Sequence, residues 1–434
     1  MTRTRLAIAL TTTAVALAAV LLGGALRGGS AAGPAPAASS AQQQLGAGFA
    51  AGDTRALVAQ LQAGLRREPR NAHGYALLGL AYQQRARETG DPTYYTKSDE
   101  ALRKALSLAP NDLIATGGLG SLALSRHRFR EALALGRRAH RISPTTVRTY
   151  GVLGDALVEL GRYREAFRAF DRMVRLKPDL SSYARYSYSL ELRGNRAGAI
   201  KWMRYAQDAA RGEAEPFAWS SVQLGKLYWN EGRIDNAARQ FRLALQVFPG
   251  YVYALDALAQ VAAARGQLRE AIDLENGAVA RIPLPQFVAT LGDLYRLAGD
   301  ARRARDQYAT IAVIERLLHA NGVRTDLETA LFDADHGRAS VTLARRAQAQ
   351  RPSIDGDDVL AWTLARSGRC GQALPWSAQA LRLGTQDALK FFHRAAIESC
   401  LGRRADARLW ARRALALNPH FSLLWAPEAR RLAA

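Results

Sequence analysis

Val147–Leu180 reads VRTYGVLGDALVELGRYREAFRAFDRMVRLKPDL. Tyr150, Leu153, Gly154 and Leu157 recur at the spacing that puts side chains on one face of an α-helix, and Gly154 lets a neighbouring helix approach closely. Gly161 tolerates the left-handed backbone that ends a helix. A second apolar set follows, Tyr163, Ala166 and Phe170, and Pro178 closes it, because its ring removes a donor and drives the preceding residue out of the α region. These 34 residues predict two helices joined by a tight turn.

The pattern repeats in both directions. Pro110, Pro144 and Pro178 are 34 residues apart, as are Pro249 and Pro283. An alanine column keeps the same phase through Ala132, Ala166, Ala199, Ala237, Ala271 and Ala304, and resumes at Ala373 and Ala407. Leu-Gly pairs form a third column, at Leu78-Gly79, Leu119-Gly120, Leu153-Gly154, Leu224-Gly225 and Leu291-Gly292, with Tyr82, Tyr228 and Tyr295 three residues after the glycine. Three columns in register at a period near 34 mark stacked helix pairs, none of which buries its apolar face alone.

These residues resemble the tetratricopeptide-repeat family, whose pattern is a bulky residue, Leu-Gly and Tyr on the first helix, Ala and an aromatic on the second, then Pro. The resemblance runs from near Ala41 to Leu417. It implies an all-α superhelical solenoid of about ten helix-turn-helix repeats, with first helices lining a concave side that binds a protein or peptide. Family members that grip a C-terminal carboxylate use Lys and Asn at set first-helix positions; here Gly151, Asp155 and Glu159 stand there, which does not fit that mode.

Breaks in the period predict irregularities. About seven extra residues around Glu88–Thr96 include Gly-Asp-Pro-Thr-Tyr-Tyr and read as an exposed loop. A second break falls at Gly212–Pro216. A third, at Ile314–Asp335, reads as a hinge dividing an N-terminal array, residues 45–316, from a C-terminal block, 317–434. The last helix, Ser422–Leu432, reads as a cap using Phe421, Leu424 and Trp425.

Before the array, Arg3 and Arg5 precede Leu6–Leu26, which holds no ionisable side chain. Residues 1–27 therefore read as an export signal or a single transmembrane anchor with a cytoplasmic N-terminus, and both alternatives stay open because small-residue cleavage patterns occur at Gly23-x-Ala25 and Ser30-x-Ala32. Residues 28–44, rich in Gly, Ala, Pro, Ser and Gln, read as a flexible linker. Either way the body is expected outside the cytoplasm, anchored facing outward or secreted after cleavage.

Composition agrees with a large folded body. The 434 residues are 48% hydrophobic with 2 cysteines, which excludes a disordered chain and a disulfide-stapled miniprotein, and the lack of several long apolar runs excludes a polytopic transporter. The histidines show no metal-ligand spacing, no Cys-x-x-Cys or Gly-x-Ser-x-Gly occurs, and Gly117-Gly118-Leu119-Gly120 lies mid-helix without the Lys-Ser/Thr of a phosphate loop. No catalytic residue, metal or cofactor is expected, and the protein reads as a non-enzyme. Cys370 and Cys400 both fall beside intra-repeat turns of neighbouring repeats, so they are a candidate disulfide as well as candidates for two buried thiols.

First-helix positions facing away from the packing stripe supply the candidate partner-binding groove: Arg148, Asp155, Glu159, Tyr188, Glu191, Trp219, Lys226, Trp229, Asn230, Tyr253 and Asp256. Rigid aromatics beside mixed charges are the residue types of protein-binding hot spots; their alternative use is to fill crevices between repeats. The net charge of +22, with 60 Lys and Arg against 38 Asp and Glu, offers a second reading, an envelope adaptor holding an acidic cell-wall polymer or anionic lipid. Its Arg residues fall on second helices, as in Arg164, Arg168, Arg172 and Arg175, or Arg403, Arg404, Arg408, Arg412 and Arg413. Export makes nucleic acid a poor partner.

Overall fold

The computed structural model describes residues 54–434. The proposed export segment at residues 1–27 and the linker at 28–44 lie outside the described residues. Those described form 22 helices and no strand. They comprise a single helix α1 (Arg55–Arg67), ten helix pairs α2–α21 from Ala72 to Leu417, and a final helix α22 (Ala426–Ala433). The fold is an all-α superhelical solenoid, and the paired elements match the columns read from the sequence.

The repeat at Val147 shows how the sequence builds each pair. Helix α6 (Val147–Glu159) ends at a turn where Gly161 adopts φ +68°, and α7 (Tyr163–Leu176) begins two residues later. After Pro178, Asp179 caps α8 (Leu180–Leu192): its carboxylate accepts from the Ser182 backbone N–H while the Ser182 hydroxyl accepts from the Asp179 N–H, a reciprocal pairing that satisfies two orphan donors. Phe170 on α7 is fully buried against Gly154 on α6, so closely that a β-carbon at 154 would overlap the ring. The same fit recurs between Gly225 and Phe241 and between Gly292 and Tyr308. The Leu-Gly and aromatic columns are thus two halves of one contact.

Successive first helices pack on one another directly, as α6 does on α8 and α10 (Ala214–Asn230) does on α12 (Val252–Ala264), whereas second helices pack mainly on first helices. First helices therefore line the inner side of the curve. The basic second-helix residues Arg164, Arg168, Arg172, Arg175, Arg404, Arg408, Arg412 and Arg413, and Arg403 just before the last of these helices, are exposed on the outer side.

Two irregular regions differ from the sequence expectation. The extra residues near 88–96 lengthen helices instead of forming a loop: α2 (Ala72–Thr89) has 18 residues and α3 (Thr93–Leu108) has 16, with only Gly90–Pro92 between them. Tyr94 packs on Tyr82 at 5.9 Å between ring centres, and Tyr95 packs beside Leu102, so burial holds this stretch in a helix. The expected division at 316/317 falls inside α15 (Ala301–Ala320), which runs unbroken for 20 residues. The chain turns only after it, through Gly322, into α16 (Asp326–Asp335).

At that turn the solenoid meets itself. The Arg128 Nε donates to the Gly322 carbonyl at 3.0 Å, and the Arg324 N–H to the Arg126 carbonyl at 3.1 Å. Farther on, the Ile354 N–H donates to the Tyr163 hydroxyl at 2.6 Å, Thr385 to the Leu192 carbonyl, and Asn418 Nδ2 to the Trp229 carbonyl at 2.9 Å. These partners are 189 to 198 residues apart in sequence. A constant offset of this kind means the superhelix completes a turn in about five and a half 34-residue repeats, and its next turn rests on the first. Turns between paired helices on one edge meet turns between repeats on the other. At this seam Gly161 lies so close to the Pro352 carbonyl that, with its positive φ, no other residue fits without a shift.

The centre of the seam is ionic. Arg351, 4% exposed, pairs with Glu159 across the seam and with Glu328 of α16 at 3.0 Å. His127 lies 3.7 Å from the same Glu328 carboxylate, and burial pushes its imidazole below the usual histidine value.

Within the C-terminal block, α18 (Ile354–Arg366), α19 (Cys370–Ala380), α20 (Ala388–Cys400) and α21 (Arg404–Leu417) form two pairs. Cys370 and Cys400 form a disulfide with a Cα separation of 6.1 Å, joining the start of α19 to the end of α20. Closing a loop of 30 residues stabilises the block by about 3 to 4 kcal/mol in the chain-entropy account. Helix α22 covers the end of the array: Trp425 stacks on Phe392 at 5.7 Å, and its indole N–H donates to Asp335, which also accepts from Trp362.

Candidate functional site

The candidate groove residues separate into three groups. Asp155 and Glu159 are buried and engaged by the chain itself, which differs from the open positions expected for them. Arg185, wholly buried on α8, reaches back to Asp155 through Nε at 3.0 Å and Nη2 at 2.8 Å. Glu159 faces Arg351, and burial pushes its carboxyl up to about 7 in spite of that partner. Arg148, half-buried on the same helix, has no hydrogen-bond partner for Nε or Nη2 among the described residues, and burial pushes its guanidinium down to about 10.

Tyr253 also departs from the expectation. It packs edge-on against Phe287 at 5.8 Å and against Tyr251 at 5.3 Å, in the contact between α12 and α14 (Pro285–Leu297). It fills a crevice between repeats.

The remaining seven, Tyr188, Glu191, Trp219, Lys226, Trp229, Asn230 and Asp256, surround one cavity of about 240 Å³ on the inner face of α8, α10 and α12. Tyr188, Glu191, Trp229 and Asn230 also border a second cavity of the same volume, which extends along the seam to Asp355, Asp387 and Lys390. In the second cavity Lys390 is matched by Asp355 at 2.9 Å and Asp387 at 2.6 Å, which leaves the shared Glu191 outside that cluster.

In the first cavity the charges are not matched. Glu191 accepts from Asn230 Nδ2 at 3.1 Å and Asp256 from Gln260 Nε2 at 3.2 Å, but neither forms an ion pair among the described residues. Burial pushes Glu191 up to about 7 and Asp256 up to about 6. Lys226 senses both carboxylates, yet loss of water dominates and pushes its ammonium down to about 8. The Trp219 indole N–H, on a residue 5% exposed, has no acceptor among the described residues. Aromatic walls with charges of both signs and an unsatisfied donor suit a ligand's polar groups better than they suit a sealed core.

Sequence reasoning missed Arg185, Arg351 and Glu275. Glu275, on α13 (Leu268–Arg281), has no exposure, and neither carboxyl oxygen has a partner among the described residues. It stands four residues after Ala271, the position filled by Phe170 after Ala166 and Phe241 after Ala237, so the signal was an acid in the aromatic column. Burial, with the Asp256 charge nearby, pushes its carboxyl well above the usual glutamate value. Because the folded value is raised, Glu275 is accommodated below pH 4.5 and costs stability as pH rises above that unfolded value. Glu275→Gln should flatten the decline in melting temperature between about pH 5 and pH 8; parallel wild-type and variant curves would show that the carboxyl is solvated.

No cluster of three or more His, Cys, Asp or Glu placed to hold a metal occurs among the described residues, and no described helix is long and apolar enough to cross a membrane.

Sequence and structure comparisons bear on the whole array. No curated protein matches the chain. Among solved structures, a human IFIT1 dimer with PPP-AAAA is similar over 94% of this chain and 96% of its own, at 15% identity and a TM-score of 0.49. PilW, a widely conserved type IV pilus biogenesis factor, is similar over 48% of this chain and 97% of its own, at 16% identity and a TM-score of 0.39. TTC0263, a thermophilic TPR protein of Thermus thermophilus, is similar over 45% of this chain and 98% of its own, at 23% identity and a TM-score of 0.39. The tetratricopeptide-repeat profile matches residues 147–180 and 220–251, the two repeats whose Gly154–Phe170 and Gly225–Phe241 contacts are described above. Those two stretches are tetratricopeptide repeats, and the helix-pair architecture they form continues through the ten pairs of the described residues.

Proposed function

We infer that this protein is a non-enzymatic interaction scaffold of the cell envelope or exterior, and that it holds a protein or peptide partner on the inner face of α8, α10 and α12. The observation that carries the reading is the cavity there, where Trp229, Tyr188 and unmatched charges face open space while inner-face acids elsewhere are locked in internal pairs. The disulfide between Cys370 and Cys400 supports an oxidising compartment, and the apolar segment after Arg5 supplies the route out of the cytoplasm, as an anchor or as a cleaved signal.

The test is affinity capture from envelope extracts at 0.5 M NaCl, comparing wild type with Trp229→Ala. Removing a hot-spot aromatic typically costs about 2 kcal/mol or more, so a partner held here should fall at least tenfold in the variant while the melting temperature changes little. Equal capture by both proteins sinks the reading, and equal loss of capture and stability assigns Trp229 to the core. The exposed outer arginines favour a second reading, attachment to an acidic cell-wall polymer or anionic lipid. That attachment would collapse as salt is raised and would ignore Trp229→Ala.

A further inference from the structure

The first cavity presents charged groups of both signs that form no ion pair among the described residues. Among the described residues Lys226 forms no hydrogen bond or ion pair, and the buried Trp219 N–H has no acceptor. Opposite in sign, Glu191 and Asp256 receive only the neutral amides of Asn230 and Gln260. A ligand with one anionic group would satisfy the first pair and leave two carboxylates facing it. A simple cation would satisfy the carboxylates and lie against Lys226. Only a ligand carrying both charges answers all four groups.

Size and walls narrow the class. About 240 Å³ lies below the roughly 300 to 1,000 Å³ of pockets for drug-sized ligands, so a single small molecule fits better than a folded segment. Tyr188 and Trp229 offer flat apolar faces for a non-polar group.

We propose that this cavity binds a free α-amino acid with an apolar side chain, its carboxylate received by Lys226 and the Trp219 N–H, its ammonium by Glu191 and Asp256, and its side chain by Tyr188 and Trp229. The proposal concerns the same inner face as the function inferred above, and rests on it only in requiring that this face be open to ligand.

The experiment is titration calorimetry on the disulfide-bonded protein with L-phenylalanine, L-leucine, phenethylamine and 3-phenylpropionate. L-Phenylalanine or L-leucine should bind, and each one-charge analogue should bind at least tenfold more weakly than L-phenylalanine, since a charged hydrogen-bonding group is lost with its partner left in place. Lys226→Met should erase the advantage of L-phenylalanine over phenethylamine. Trp219→Phe, which keeps an aromatic ring and removes the N–H, should weaken L-phenylalanine and leave phenethylamine unchanged. Circular dichroism melts confirm that both variants fold. Phenethylamine binding as well as L-phenylalanine would make this a cation site and overturn the proposal. So would failure of both amino acids to bind at 10 mM while capture of a protein partner remains sensitive to Trp229→Ala, an outcome that leaves the scaffold reading intact. Amino-acid binding without any protein partner would uphold the proposal and remove that reading.

Discussion

Arg351→Met is expected to destabilise the protein by about 3 to 5 kcal/mol and to open the seam between superhelical turns. Arg351 is the cation between Glu159 and Glu328, all three buried, and its removal leaves two carboxylates with no counter-charge. The cost arises less from the lost attraction than from the acids left behind. It should therefore depend on pH with a definite sign. Burial already pushes Glu159 up to about 7, and without the guanidinium its folded value rises further. A carboxyl raised in the fold is tolerated while protonated and costs stability as pH rises, so the variant's deficit should be smaller at pH 5 than at pH 8. Urea unfolding at both pH values measures this, and small-angle scattering should show a larger radius of gyration for the variant at pH 8. The triple variant Arg351→Met, Glu159→Leu, Glu328→Leu should recover most of the loss. A deficit under 1 kcal/mol at pH 8 would mean that the seam does not depend on this cluster.

Phe170→Ala should cost a similar amount, about 3 to 5 kcal/mol, because it removes a fully buried ring from the contact between α6 and α7. Gly154→Ala attacks the same contact from the other side, forcing a methyl group into the ring's space at a cost of about 1 to 3 kcal/mol. The two changes should not add. With the ring gone the methyl group introduced at position 154 has room, so the double variant should be less destabilised than the sum by about 1 kcal/mol or more. Chemical denaturation of the four proteins closes the cycle. Additivity within about 0.5 kcal/mol would show that the glycine and aromatic columns do not meet as described.

What the sequence discloses depends on whether a contact repeats. The Gly154–Phe170 fit recurs at Gly225–Phe241 and Gly292–Tyr308, so its two columns are visible at a fixed period and the fold follows from them. The inner-face cavity was also legible, because Tyr188, Trp219 and Trp229 stand at first-helix positions that the packing stripe does not require. The seam was not. Its partners are some 190 residues apart and sit in turns, where Arg351, Pro352 and Thr385 look like ordinary loop residues. Asp155 and Glu159 consequently read as open positions, since their partners Arg185 and Arg351 break no local rule. Tyr94 and Tyr95 misled in the other direction: beside Gly-Asp-Pro they suggest a loop, and only their packing against Tyr82 and Leu102 shows why they are helical.

An open solenoid can gain or lose a module at modest cost, because each unit needs only its immediate neighbours. A coil whose successive turns grip each other lacks that freedom. Adding or deleting one unit anywhere between Trp229 and Arg351 would displace Glu159 from Arg351, Tyr163 from Ile354, Leu192 from Thr385 and Trp229 from Asn418 together. The contacts along its edge make the number of modules in the first coil part of the tertiary structure, so homologous chains that keep these edge residues should vary in length only at their ends.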